Sequence, residues 1–257
     1  MTRPPFLPTE GIHNFRDHGG YPASGGGRLR SGVLYRSGEH GAADEGDLRV
    51  VSDLGLGAVF DLRGNAERSS APCRRPEDFS AEVFFFDGET GGLVSALKDQ
   101  RGTANAEQIH AVMESIYAAL PDRLNLLWII RRYLNFLVQG EGATLIHCHA
   151  GKDRTGMAVD LLHHALGVHP DDAMADYLLT NDAPGFAERV AASGNAVRAK
   201  YGPMDDEALH ALMGVDERYL LAARRAVGDR YGSADAFLAH LGVDEDRRAI
   251  LQERLAA

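Results

Sequence analysis

Cys148 and Arg154 stand with five residues between them in the stretch Thr144–Gly156, TLIHCHAGKDRTG. An apolar pair, Leu145–Ile146, leads into the cysteine, and Met157, Leu161, Leu162, Ala165 and Leu166 form an apolar stripe at helical spacing behind Gly156. The order is strand, tight loop, helix, with the helix expected to begin after Gly156. A loop entering a helix N-terminus turns several backbone N–H groups into one hollow, and the helix dipole makes that hollow positive. Such a hollow suits a phosphate dianion and favours a thiolate over a thiol. Complete ionisation of an ordinary thiol gains only about thirtyfold in nucleophile at neutral pH. The remaining acceleration must come from positioning, for which the planar fork of Arg154 can hold two phosphoryl oxygens while Cys148 attacks in line.

The rest of the loop has parts to match. Gly151 and Gly156 let the backbone turn close to a ligand. His149, Ala150, Gly151, Lys152, Asp153 and Arg154 would surround the phosphoryl group. Thr155 can donate its hydroxyl to the cysteine sulfur, and His147 can order the loop by hydrogen bonding. A carboxyl group must protonate the leaving oxygen and then activate water. Asp153, inside the loop, is the nearer choice; Asp87, on the loop Asp87–Gly92 after an apolar run, is the alternative.

Other chemistries fit less well. His147 and His149 flank Cys148, which suggests zinc, but alternate strand residues face opposite ways and no ligand cluster follows in the sequence, so no metal is expected. Gly151-Lys152 lacks the surroundings of a nucleotide-binding loop, since Asp153 follows the lysine and Ile146 stands where the first glycine would be. Asp153 could merely cap the helix. Asp61 and Arg63 are expected to brace the loop by pairing with each other's neighbours, with a pocket-lining Arg63 as the alternative. Cys73, in the basic setting Ala71-Pro72-Cys73-Arg74-Arg75, reads as a plain loop cysteine or as a redox partner of Cys148. Arg74-Arg75 reads as solvated surface, and His163-His164 as ordinary helix residues.

These residues carry a family resemblance. Cys-x5-Arg-Thr-Gly after an apolar strand resembles the signature of cysteine-dependent tyrosine and dual-specificity phosphatases, and His147–Gly156 is similar to the loop of the atypical bacterial PtpB-type enzymes. Asn14-Phe15-Arg16-Asp17 with Gly19-Gly20, Leu34-Tyr35-Arg36-Ser37, Phe60-Asp61-Leu62-Arg63 with Glu67-Arg68, and Asp176-Tyr177-Leu178-Leu179-Thr180-Asn181 extend the likeness over about Ile12 to Asn181. The resemblance implies the phosphatase fold, Cys148 as nucleophile, Arg154 as clamp, a phosphocysteine intermediate and no cofactor. The Asp153-Arg154 pair is similar to that of myotubularin-type lipid phosphatases, which favours Asp153 as the acid. Lys152 is shared with phosphoinositide phosphatases, so the implied partner is a phosphorylated protein (on tyrosine, serine or threonine) or a phosphoinositide. A phosphate-binding adaptor without turnover is the alternative, weakened because binding alone needs no nucleophile. Sulfurtransferases and arsenate reductases also use thiolate loops, but of other lengths or with more cysteines.

The elements that must position the loop are legible around it. Short apolar runs bounded by turn residues predict buried strands at Val33–Tyr35, Ala58–Leu62, Glu82–Phe86 and Thr144–Cys148. Helical patterns cover Asp44–Leu54, Ala106–Leu120 and Leu124–Val138, and from about Pro170 only helices follow, punctuated by Pro184, Gly202-Pro203, Gly214, Gly232 and Gly242. The prediction is an α/β fold with a mostly parallel sheet flanked by helices, a core over about 12–182 and a helical cap or lid over about 183–257, all in one domain spanning 1–257. Two cysteines are too few for a disulfide scaffold. The net charge of −10 argues against nonspecific nucleic-acid binding. No apolar run is long enough to span a membrane. Met1 to Glu10 hold three prolines and no apolar stretch, so a cytoplasmic protein is expected, with signal-less export left open.

Overall fold

The computed structural model describes residues 6–91 and 103–256. Five strands form one sheet in the order β1-β2-β5-β3-β4, comprising β1 (Arg16–Asp17), β2 (Leu34–Ser37), β3 (Leu56–Asp61), β4 (Glu82–Phe85) and β5 (Ala143–His147). Only the β1–β2 pair is antiparallel. All five residues of the central strand β5 are buried, as a parallel strand covered on both faces requires. β4 departs from the expectation of a buried strand. It lies at the sheet edge, Val83 and Phe85 are exposed, and the Arg68 guanidinium covers the Phe85 ring at 4.2 Å.

Register decides what each face carries. Tyr35, Leu145 and Val59 lie side by side, as do Arg36, Ile146 and Phe60, and then Ser37, His147 and Asp61. Neighbouring rows face opposite ways. Tyr35, Leu145 and Val59 pack with Ile12, Phe15, Leu48 and Val51, the last two from α1 (Glu45–Ser52). Ile146 and Phe60 join the larger core with side chains of α3 (Ala106–Ala118), α4 (Leu124–Gln139) and α5 (Asp153–Ala165). The chain between β3 and β4 adds α2 (Asn65–Ser70), an element the apolar pattern does not reveal because none of its residues is buried.

The C-terminal third is helical as predicted, with α6 (Pro170–Leu178), α7 (Phe186–Tyr201), α8 (Asp206–Met213), α9 (Glu217–Tyr231), α10 (Ala234–His240) and α11 (Glu245–Leu255). Asp205, Asp216, Ser233 and Asp244 each cap a helix N-terminus with a side-chain oxygen. The cap also takes in α3, which packs on α8 and α9. One continuous buried cluster joins cap residues such as Leu209, Leu220 and Phe237 to Phe60 and Ile146 of the sheet. No helix among the described residues is long and apolar enough to cross a membrane.

Candidate active site

β5 delivers Cys148, which is buried, to the C-terminal edge of the sheet. The helix that follows starts four residues earlier than its apolar stripe suggests, at Asp153, so Asp153, Arg154 and Thr155 lie in its first turn. No side chain caps that N-terminus. Among the described residues the backbone N–H groups of His149, Ala150, Gly151 and Lys152 have no protein acceptor. Three carbonyls in and beside this loop are held from outside: Leu62 N donates to His147 O (2.8 Å), Glu39 N to His149 O (3.0 Å), and both Asn14 Nδ2 and Arg36 Nη2 to Gly151 O (2.9 Å each). Carbonyls pinned outward leave the amides free, the arrangement in which a loop can receive an anion. Gly151 has a left-handed φ of +67°, and a Cβ there would stand 2.3 Å from the Ser37 carbonyl oxygen, so only glycine fits.

The outside supports are the sequence landmarks on either side of the loop. Asp176 Oδ2 accepts from Arg36 Nη1 at 2.7 Å and Asp176 Oδ1 from Arg16 Nε at 3.2 Å, with all three side chains buried. Burial opposes charging Asp176, but the two guanidinium groups hold its carboxyl well below the usual range. Asn14, in a left-handed conformation, also donates to Thr180 Oγ1 (3.3 Å).

Arg154 is set by a fork. Its Nη1 and Nη2 donate to Glu67 Oε2 and Oε1 at 2.5 and 2.6 Å, and Nη1 also reaches Leu62 O and Thr90 Oγ1 at 3.2 Å each. Burial works against the guanidinium charge, yet the Glu67 bonds and the nearby Cys148 and Glu67 charges raise its pKa. Glu67 is correspondingly lowered: burial pushes it up and the Arg154 bonds more than offset that. Glu67 entered the sequence reading only as a landmark; α2 is what aims it. Beside Arg154 lies a cavity of about 420 Å³ lined by Glu89, Thr90, Gly91, Arg123, Leu124 and Asn125. Arg123 is lowered by burial and by the charge of Arg154. A larger hollow of about 680 Å³ opens near Val33, Ala143 and Thr144, at the other ends of the strands.

Asp153 Oδ1 accepts from Tyr117 Oη at 2.8 Å, and Tyr117 is held in turn by Tyr177 Oη at 2.7 Å. Asp87 is exposed and accepts from Asn65 Nδ2 (2.9 Å); the end of its loop, Gly92, lies outside the described residues. His147 Nδ1 lies 3.3 Å from Cys148 O, in keeping with a loop-ordering role. His149 is exposed at the rim and Ala150 half-buried. Two side chains sit differently from the expectation. Lys152 turns its ammonium to the cap, donating to Leu212 O (2.6 Å) and Gly214 O (3.0 Å), with Asp153 Oδ1 at 3.5 Å. A buried ammonium needs such acceptors, and the end of α8 supplies unpaired carbonyls. Thr155 Oγ1 is buried without a partner, the Cys148 sulfur included.

Asp61 and Arg63 pair directly with each other rather than with flanking residues. Arg63 Nε lies 2.9 Å from Asp61 Oδ1 and Nη2 2.8 Å from Oδ2, and Arg63 is almost wholly buried. His163 is buried against His18 while His164 meets Asp235 at 2.8 Å. Arg74 and Arg75 are partly exposed, Arg74 pairing with Glu45 at 2.5 Å.

A family model described as "Tyrosine phosphatase family" matches residues 7–257. Curated relatives include the "Putative tyrosine-protein phosphatase H16_A0669" of Cupriavidus necator, 33% identical over 88% of this chain and 80% of its own length. The triple specificity protein phosphatase PtpB of Mycobacterium tuberculosis is 27% identical over 91% of this chain and 93% of its own. A tyrosine-protein phosphatase of Nostoc commune is 25% identical over 91% and 78%. A match over nearly the whole chain, on a sheet that ends in an uncapped helix behind a buried cysteine, shows that this protein belongs to the tyrosine phosphatase family of cysteine-based enzymes and is related to the PtpB type.

Proposed function

We propose that the chain hydrolyses phosphomonoesters, phosphotyrosine first among them, through a phosphocysteine at Cys148. The observation that carries this reading is the uncapped N-terminus of α5, with unpaired loop amides beside a cysteine and an arginine already locked in orientation by Glu67. The amides and Arg154 take the three non-bridging oxygens as the sulfur attacks phosphorus and the ester P–O bond breaks. Asp153 gives its proton to the leaving oxygen. In the second step Asp153 takes a proton from water, whose oxygen displaces the sulfur and releases phosphate. The Tyr117 bond fixes Asp153 Oδ1, which leaves Oδ2 for this proton.

The substrate range follows from the same parts. A name such as "triple specificity" belongs to the mycobacterial relative; a site of the same type here would accept phosphoserine and phosphothreonine peptides and phosphoinositides as well. Arg123 adds a second cation near the clamp, which suits a dianion. The core shared between sheet and cap supports one phosphatase domain. The adaptor reading is disfavoured because nucleophile, acid and clamp are all present.

The test is hydrolysis of p-nitrophenyl phosphate in EDTA. It is expected to proceed and to vanish in Cys148→Ser; activity that survives the substitution defeats the proposal. Asp153→Asn is expected to lower turnover by about 10²–10⁴-fold, most with poor leaving groups. Loss with Asp87→Asn alone would move the acid to the neighbouring loop.

A further inference from the structure

The last row of the sheet brings together donors that lie far apart in the sequence. His147 and Asp61 are register partners at the ends of β5 and β3, and the loop after α2 lays Cys73 against them. One ligand atom from each of Asp61, Cys73 and His147 lies within 4.8 Å of the others. His147 is wholly buried, and its Nε2 has no hydrogen-bond partner while pointing at Asp61 Oδ2, 3.8 Å away. A fully buried imidazole nitrogen without a partner is costly and needs an explanation.

We propose that Asp61, Cys73 and His147 form a binding site for a soft divalent cation, zinc in the first place, which restrains the loop carrying Cys148. Sulfur, imidazole nitrogen and carboxylate oxygen are the donor set zinc takes, and three protein ligands leave a fourth position for water. Binding at Cys73 sends the thiol proton to solvent. The Cys73 sulfur already accepts from Arg63 Nη2 (3.1 Å) and His40 N (3.3 Å), which fixes its place beside Asp61 and His147.

Arg63 is the competitor. Its Nη2 donates to Asp61 Oδ2 and Cys73, its Nε also reaches Asp61 Oδ2 at 3.2 Å, and the guanidinium is one rigid plane, so a metal must shift the whole group. Asp61 Oδ1 (2.9 Å from Nε) and Ala71 O (2.7 Å from Nη1) lie outside the three donor atoms and are acceptors to which a shifted guanidinium can still donate. Arg75, which reaches His40 Nδ1 at 3.4 Å, adds a second positive neighbour. Two nearby cations make the binding reversible by a chelator, as a regulatory site requires. His147 immediately precedes Cys148 and touches its carbonyl, so a metal on His147 acts on the base of the loop.

The site is tested in Cys148→Ser protein stripped of metal, which removes the other thiol and makes the readout independent of catalysis. Cobalt(II) is expected to give a sulfur-to-cobalt charge-transfer band at one equivalent, displaced by zinc, and zinc is expected to raise Tm. Adding Cys73→Ser is expected to abolish the band, with the circular dichroism spectrum unchanged. His147→Gln in the same background is expected to weaken binding at least tenfold. A chain that gives no band, or one whose band survives Cys73→Ser, overturns the site. In the protein with Cys148 intact, zinc is expected to slow turnover and EDTA to restore it, with Cys73→Ser less sensitive; equal sensitivity of the two overturns the regulatory role. Absence of hydrolysis would defeat the proposed activity and leave the cobalt result standing.

Discussion

Two arginine–carboxylate assemblies support the same loop, and they differ in what surrounds them. Arg154 and Glu67 meet at the rim of a cavity, with side chains 12% and 31% exposed. Arg16, Arg36 and Asp176 meet beneath the loop, with side chains at most 1% exposed. The chemistry is nearly the same in both: a carboxylate takes the guanidinium donors and keeps the charge in place. The open pair leaves one edge of a cation presented to whatever enters the pocket. The sealed trio presents nothing and instead ties β1, β2 and α6 to the Gly151 carbonyl. Surroundings, and not residue type, separate the proposed clamp from a brace. Breaking a buried ion pair on one side leaves uncompensated charge, whereas changing an accessible cation alters what it binds.

The comparison predicts losses of different kinds. Arg154→Lys is expected to cut kcat/KM by about 10²–10³-fold, since a point charge cannot hold two oxygens in one plane. Urea denaturation should show stability changed by less than about 1 kcal/mol; a large loss of stability would make Arg154 a brace too. Asp176→Asn should do the reverse. Two buried guanidinium groups lose their counter-charge, and stability is expected to fall by about 3–5 kcal/mol. Per folded molecule, measured well below the transition midpoint, turnover should fall far less than in Arg154→Lys; equal losses would erase the distinction.

The smallest effect concerns pH. His18 and His163 lie beside the brace and His147 behind the loop, and burial lowers all three. A histidine lowered on folding binds fewer protons folded than unfolded, so stability is fully present above the unfolded value near 6.5 and is lost as pH falls toward the folded one. For His147 that window runs from about 6.5 to about 4, and the loss is of order 1–3 kcal/mol. Thermal denaturation between pH 7 and 4 is expected to show Tm declining; a flat profile would mean these imidazoles find proton acceptors that compensate.

Much of the fold could be read from the chain because its apolar runs are short, buried and well punctuated. β5 announces itself as an apolar run into Cys148, and the helices beyond Pro170 as Ala and Leu at a period of 3.6. β1 and α2 escape this reading for the same reason: one has two residues and the other buries none, so neither leaves a pattern. The start of α5 is misplaced by four residues because a helix N-terminus built from Asp, Arg, Thr and Gly offers no apolar residue to the pattern.

At the site, spacing alone determined the loop: Cys148, Arg154 and the glycines are neighbours in sequence, and local geometry follows from local order. What aims those groups was decided only by tertiary structure. Glu67, Tyr117 and the cap carbonyls at Leu212 and Gly214 reach the loop from positions 36 to 87 residues away and Asp176 supports it through Arg36, and Cys73 lies near His147 because strand register sets Asp61 and His147 side by side and the chain after α2 returns to them. Such partners leave no periodic trace, since a contact made across the fold depends on how layers stack and not on which residue comes next.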